Sequence, residues 1–226
     1  MAESKPRIVC IIPAYNEVKT VASVADLASG HPDISRVVVV DDGSIDGTSE
    51  AADSVEGVEI IRLETNRGKG AAMRAGLDAT DEPYVLFLDA DLIGFNAKHI
   101  SDLIRPVVEN GADMTVGLFR GGRIHTDLAH IITPSLSGQR AVKRSVLDGL
   151  DMDSVGFAIE RALTELWQLG KIKVVDVILK GVTHRTKEEK RGYFEGVKQR
   201  AKMYKDILEF EGGKFRKKVM GKNRKD

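Results

Sequence analysis

The chain has 226 residues, 42% hydrophobic and 30% charged, an ordinary balance for a soluble globular protein and enough length for one α/β domain with a sizeable core. Lys plus Arg and Asp plus Glu both number 34, which excludes a global field drawing the whole molecule to nucleic acid or membrane. No apolar stretch approaches the roughly 18 residues of a membrane span, and the N-terminus lacks a signal-peptide core. The one cysteine, Cys10, lies in an apolar run; it reads as a small buried hydrophobe and fits a reducing cytoplasm.

In chain order, Ile8–Ile12 reads as a strand, Val18–Ala28 as a helix, Arg36–Val40 as a strand and Asp46–Ser54 as a short helix. Val58–Leu63 is the next strand, Lys69–Ala79 a helix and Tyr84–Leu88 a strand whose unbroken apolar run suits burial on both faces. This alternation implies parallel pairing through right-handed crossovers, hence an open α/β sheet. Further on, Ala97–Glu109 looks helical and Asp113–Gly117 like a strand, while Phe119–Pro134 shows no clear period. Val142–Leu147, Val155–Leu169 and Lys187–Glu209 read as helices, with Ile172–Leu179 a strand between the last two. The pair Gly212-Gly213 marks the expected end of a single domain over 1–213. A basic tail follows, with seven cations and one acid from Lys214 to Asp226.

Each early strand ends in a polar or glycine-rich turn: Pro13-Ala14-Tyr15-Asn16-Glu17, Asp41-Asp42-Gly43-Ser44, Asn66-Arg67-Gly68-Lys69-Gly70 and Asp89-Ala90-Asp91. Ligands of open α/β sheets bind outside the carboxyl ends of the strands, so the four turns are expected to converge on one rim. Asp89 and Asp91 repel each other unless a cation lies between them, and a hard divalent ion such as Mg2+ or Mn2+ suits carboxylates shared with phosphates. The alternative is a loop whose two acids face water. Asp41 and Asp42 could accept hydrogen bonds from a ribose or a base N–H, or the turn could serve only to cap the next helix through Ser44 or Asp46. Lys69, with small neighbours at a helix start, suits close approach by a phosphate. A dinucleotide-binding oxidoreductase fits poorly, because Met73 stands where its glycine fingerprint wants glycine.

The ordered set Ile11-Ile12-Pro13-Ala14-Tyr15-Asn16-Glu17, Asp41-Asp42-Gly43-Ser44-x-Asp46-Gly47-Thr48, Asn66-x-Gly68-Lys69-Gly70 and Leu88-Asp89-Ala90-Asp91 resembles the nucleotide-sugar half of family 2 glycosyltransferases with the GT-A fold, the family that includes dolichol-phosphate mannosyltransferase. The resemblance covers about residues 7–92. It implies a GT-A-type α/β fold with a central, mostly parallel sheet flanked by helices, and a hexosyltransferase activity. By the same resemblance Pro13, Ala14, Tyr15, Glu17, Asp41 and Asp42 line a nucleoside pocket with Lys69 nearby. Asp89, beside Ala90, faces the ribose or the metal, and Asp91 holds Mg2+ or Mn2+ on the donor diphosphate.

In the second half, Ser137-Gly138-Gln139-Arg140-Ala141 is similar to a segment beside the acceptor site of polyprenyl-phosphate transferases and of glucosyl-3-phosphoglycerate synthase. Gln139 and Arg140 are therefore acceptor-binding candidates, Arg140 through its bidentate fork; the alternative is a surface or core-edge arginine. Glu160, in Gly156-Phe157-Ala158-Ile159-Glu160, is a candidate general base or acceptor hydrogen-bonding group, with an ordinary helix-surface glutamate as the other reading. The family pattern departs at Ile93, where relatives commonly carry Gln. His184 is the replacement candidate that completes the metal set, against a structural histidine, and Arg185 beside it is a further acceptor-binding candidate.

The expected partners are a UDP- or GDP-type nucleotide-diphosphate sugar and a polyprenyl-phosphate or small phosphorylated acceptor, with no nucleic acid. A sugar-phosphate nucleotidyltransferase and a non-catalytic nucleotide-sugar-binding protein are the alternatives. Lys187–Glu209 reads as an amphipathic helix packed on its own sheet; joined to the basic C-terminus it could instead touch an anionic inner membrane surface. Assembly is left open, a homodimer being one reading.

Overall fold

The structure is a computed structural model that describes residues 5–120, 138–150 and 159–184. Strands β1 (Ile8–Ala14), β2 (Arg36–Asp41), β3 (Val58–Arg62) and β4 (Tyr84–Phe87) alternate with helices α1 (Val21–Ser29), α2 (Thr48–Asp53) and α3 (Lys69–Asp78), as the sequence predicts apart from small shifts at the ends. Then come β5 (Leu92–Ile93), α4 (Ala97–Val108), β6 (Met114–Arg120), β7 (Arg140–Lys143), α5 (Arg144–Asp148), α6 (Ile159–Gln168), β8 (Val174–Lys180) and β9 (Thr183–His184). Seven strands form one sheet in the order β3-β2-β1-β4-β7-β6-β8, and β5 pairs with β9 in a separate two-stranded ribbon.

The unbroken apolar runs are explained by helices on both faces of the sheet. On one face Ile8, Cys10 and Ile12 of β1 and Val37 and Val39 of β2 pack with Val21 and Val24 of α1 and Ile100, Leu103 and Val107 of α4. The intervening residues, Val9 and Ile11 of β1 and Val38 and Val40 of β2, pack with Ala72, Met73 and Leu77 of α3 and Ile159 and Leu163 of α6. Period-two alternation thus divides one strand between two cores, each fully buried aliphatic side chain contributing about 1.5–3 kcal/mol. Helix α4 starts where Asn96 accepts from the His99 N–H while the His99 ring accepts from the Asn96 N–H, satisfying two end groups reciprocally.

β1 pairs in parallel with β2 and β4, with Ala14 opposite Asp41 and Ile11 opposite Phe87. That register brings the turns after all three strands to the same rim. β7 runs antiparallel to both β4 and β6, so the sheet is mostly parallel with one reversed strand.

The β5–β9 ribbon was not foreseen from the sequence, and one expected element is of another type. The helix expected over Val142–Leu147 is instead the end of β7 followed by α5. Only four residues long and opening on a charged residue, β7 offers no apolar period to read; pairing Phe87 with Arg140 and Leu86 with Ala141 draws it into the sheet. Residues 121–134 of the irregular stretch, the expected helix over 187–209 and the basic tail lie outside the described residues. Among the described residues no helix is long and apolar enough to cross a membrane.

Candidate active site

The rim is assembled by side chains that tie each turn to the next. After β1, the Asn16 N–H donates to Ser44 Oγ at 2.9 Å and the Glu17 N–H to Thr48 Oγ1 at 2.8 Å, while Asn16 Oδ1 accepts from the Ile45 N–H at 3.1 Å. Asn16 achieves this at φ 55, a left-handed conformation that asparagine tolerates better than most residues. Asp41 is fully buried and accepts from the Ser44 N–H and the Ser49 hydroxyl. Asp42 accepts from the Arg67 and Gly68 N–H groups at 2.9 and 2.8 Å, tying the turn after β2 to the one before α3. The third turn is joined to the fourth by Lys69, whose Nζ lies 2.5 Å from Asp89 Oδ1.

Asp89, Asp91 and His184 each offer a ligand atom, and these atoms all lie within 4.8 Å of one another. His184 Nδ1 is 2.9 Å from Asp91 Oδ1, and its Nε2 is 3.8 Å from Asp89 Oδ2. Ligand atoms on an octahedral Mg2+ sit about 3 Å apart when adjacent and about 4 Å when opposite. Two carboxylates and one imidazole nitrogen gathered within 4.8 Å form a donor set that suits Mg2+ or Mn2+ after small side-chain adjustments. The histidine arrives through the small ribbon, where Leu92 stands opposite His184 and Ile93 opposite Thr183. Gly94, at φ +75, passes so close to the Gly181 carbonyl that a Cβ would collide with it. Buried Phe119 meets the His184 ring edge-on, centroids 4.8 Å apart, and limits its rotation.

Asp89 is also held from the acceptor half. Gln139 Nε2 donates to Asp89 Oδ2 at 2.7 Å, and Lys69 Nζ reaches Glu160 Oε1 at 2.9 Å. Gly138 makes room for this convergence: a Cβ there would lie 2.5 Å from both Asp89 Oδ2 and Lys69 Nζ. The charges shape each other's titration. Burial opposes ionisation of Asp89, but Lys69 and His184 beside it hold its pKa below the usual carboxylate range, with Asp91 pushing back. Burial likewise opposes charge on His184, and the hydrogen bond to Asp91 with the nearby carboxylates outweighs it, raising its pKa. For Lys69, burial is more than reversed by Asp89 and Glu160, so its ammonium is held charged.

One network therefore unites Lys69, Asp89, Asp91, Gln139, Glu160 and His184. Pro13 and Ala14, buried at the end of β1, and half-buried Tyr15 sit on the adjoining turn, as does Glu17; Ala90 is buried between the two aspartates. Four residues stand differently from their expected settings. Gln139, expected on the acceptor, is fully buried and orients Asp89. Arg140, expected on an acceptor phosphate, is also fully buried, its guanidinium on Thr164 Oγ1 and the Glu160 carbonyl. Burial lowers its pKa against the opposing pull of Glu160 and Asp89. Asp41 and Asp42, expected on the nucleoside, accept instead from groups of the chain itself, Asp41 from the Ser44 N–H and the Ser49 hydroxyl, Asp42 from two backbone N–H groups. Arg185 lies outside the described residues. The sequence reading missed Phe119 and the clearance at Gly138, although Gly138 belongs to the segment that drew notice.

The family model for glycosyl transferase family 2 matches residues 9–165. The chain is 33% identical over 177 residues to glycosyltransferase AglJ of Haloferax volcanii, covering 69% of this chain and 56% of that protein. It is 27% identical over 187 residues to polyprenol monophosphomannose synthase of Mycolicibacterium smegmatis, covering 70% and 71%. Among solved structures, glucosyl-3-phosphoglycerate synthase of Mycobacterium tuberculosis with Mn2+, UDP-glucose and phosphoglyceric acid superposes with a TM-score of 0.65 at 27% identity, over 80% of this chain and 72% of that one. The chain spans about half the length of several curated relatives, 56% of the Haloferax protein, 47% of one from Methanocaldococcus jannaschii and 44% of dolichyl-phosphate beta-glucosyltransferase of Dictyostelium discoideum. With the motif order, the sheet topology and the Asp-Asp-His cluster in agreement, the chain belongs to glycosyl transferase family 2.

Proposed function

We propose that the protein transfers a hexosyl group from a UDP- or GDP-type sugar to a polyprenyl-phosphate or small phosphorylated acceptor, with Mg2+ or Mn2+ held by Asp89, Asp91 and His184. The observation that carries this reading is the meeting of those three side chains, with ligand atoms within 4.8 Å, at the carboxyl edge of the sheet. A divalent ion bound there supplies positive charge against the diphosphate as it leaves.

The remaining roles fall to the chain itself. The turns after β1 and β2, with Pro13, Ala14, Tyr15 and Glu17, wall the nucleoside, and buried Asp41 and Asp42 brace those turns from within. Lys69 places an ammonium beside the diphosphate. Glu160, its side chain 34% exposed, presents a carboxylate that takes the proton of an attacking hydroxyl; a phosphate acceptor, already an anion, needs only positioning. Buried Arg140 lends positive potential beneath Glu160 and Asp89. Arg185 is proposed on the acceptor, and the cations from Lys214 onward at an anionic membrane surface.

The decisive experiment is Asp91→Ala, assayed by nucleoside diphosphate release from UDP- and GDP-sugars with polyprenyl phosphate or 3-phosphoglycerate as acceptor. Activity should fall on the order of 100-fold or more, with an unchanged circular dichroism spectrum. A fully active variant, or release of pyrophosphate in place of the nucleoside diphosphate, would overturn the assignment.

A further inference from the structure

Asp89 Oδ1 is 2.5 Å from Lys69 Nζ, which also reaches Glu160 Oε1 at 2.9 Å, and Asp89 Oδ2 accepts from Gln139 Nε2 at 2.7 Å with His184 Nε2 3.8 Å away. The lysine ammonium thus sits on one of the three side chains assigned to the metal. Gly138 leaves room for this contact, since a Cβ at residue 138 would lie 2.5 Å from Lys69 Nζ. The Lys69 side chain is 37% exposed, against 16% for Asp89, and a flexible four-carbon stem lets it swing to another anion. An ammonium and a divalent ion on the same carboxylate repel each other strongly at such range.

We propose that Lys69 is an internal counter-cation that competes with the divalent ion for Asp89 and yields it when a diphosphate offers the ammonium another partner. The inference rests on the metal-dependent reading of the site. Metal binding without nucleotide must displace or crowd the ammonium. A diphosphate draws Lys69 away and leaves Asp89 to the metal, so part of the mutual tightening of metal and nucleotide passes through this lysine. Linkage requires the effect to be reciprocal.

The test is Mn2+ binding, followed by electron paramagnetic resonance of the free ion, alone and with UDP or GDP. The wild type is compared with Lys69→Met, Lys69→Ala, Lys69→Arg and Asp91→Ala. Removing the competitor in the Met and Ala variants should tighten Mn2+ binding without nucleotide by about tenfold, within the usual range of coupling between sites. It should also shrink the further tightening produced by the nucleotide. Lys69→Arg keeps a cation on Asp89 and should stay near wild type, while Asp91→Ala should remove the Mn2+ site. Unchanged or weaker Mn2+ binding in both Lys69→Met and Lys69→Ala, with the nucleotide effect intact, would overturn the competition and leave the metal-dependent reading standing. No Mn2+ binding by the wild type, with or without either nucleotide, would overturn both.

Discussion

The tie between the second and third turns can be tested at Asp42. Its side chain is almost fully buried, at 2% exposure, and its two oxygens accept from the Arg67 and Gly68 N–H groups at 2.9 and 2.8 Å. The turns are pressed together there, since a Cβ on Gly43 would lie 2.8 Å from the Thr65 carbonyl carbon. Asp42→Asn keeps one acceptor and aims an amide NH2 at the other N–H. Hydrogen bonds to a charged group are worth about 1.5–3 kcal/mol each. Both N–H groups are only partly buried, so water can replace some of the loss. We expect a cost of about 2 kcal/mol for Asn and about 3 kcal/mol for Ala. Urea unfolding followed by circular dichroism should show a lower midpoint with an unchanged slope. Nucleotide affinity, measured by calorimetry, should weaken as well, because the released turn carries Lys69. Stability within about 0.5 kcal/mol of wild type, combined with weakened nucleotide binding, would refute the tie and return Asp42 to a direct nucleoside contact.

Two further outcomes follow from packing and charge. In Gly76→Ala the new methyl would stand 2.6 Å from Ile11 Cγ2 and 3.3 Å from Val40 Cγ2; overpacking should outweigh the better helix propensity of alanine and lower stability by about 1–2 kcal/mol, read as a fall in Tm. The raised pKa of His184 means the folded protein binds that proton more tightly than the unfolded chain. In chelator, the stabilisation is therefore complete below the unfolded value of about 6.5 and is lost as pH rises through the higher folded value. Tm should fall over that window in the wild type and fall less in His184→Gln; a wild-type Tm insensitive to pH there would contradict the Asp91–His184 ion pair.

The four turns were legible because each is a local device. Val37–Val40 followed by Asp41-Asp42-Gly43, or Val85–Leu88 followed by Asp89-Ala90-Asp91, joins an apolar run to residues that can only lie at a sheet edge. Parallel topology then requires those edges to coincide. β7 was not legible, since a four-residue strand opening on Arg140 has neither the length nor the alternation to separate it from the helix that follows. The burial of Gln139 and Arg140 was hidden for a related reason: polar residues predict exposure unless their partners are known, and Asp89 lies 50 residues from Gln139.

The alternating sheet, the two-faced burial of its strands and the chemistry at their carboxyl ends all follow from periodicity and from residues adjacent in the chain. Which distant groups meet there depends on the folded chain. His184 comes to Asp91 across 93 residues through a ribbon whose strands are two residues long, too short to carry any periodic signal. Its position depends on a close backbone approach at Gly94 and Gly181 that exists only once the chain has folded.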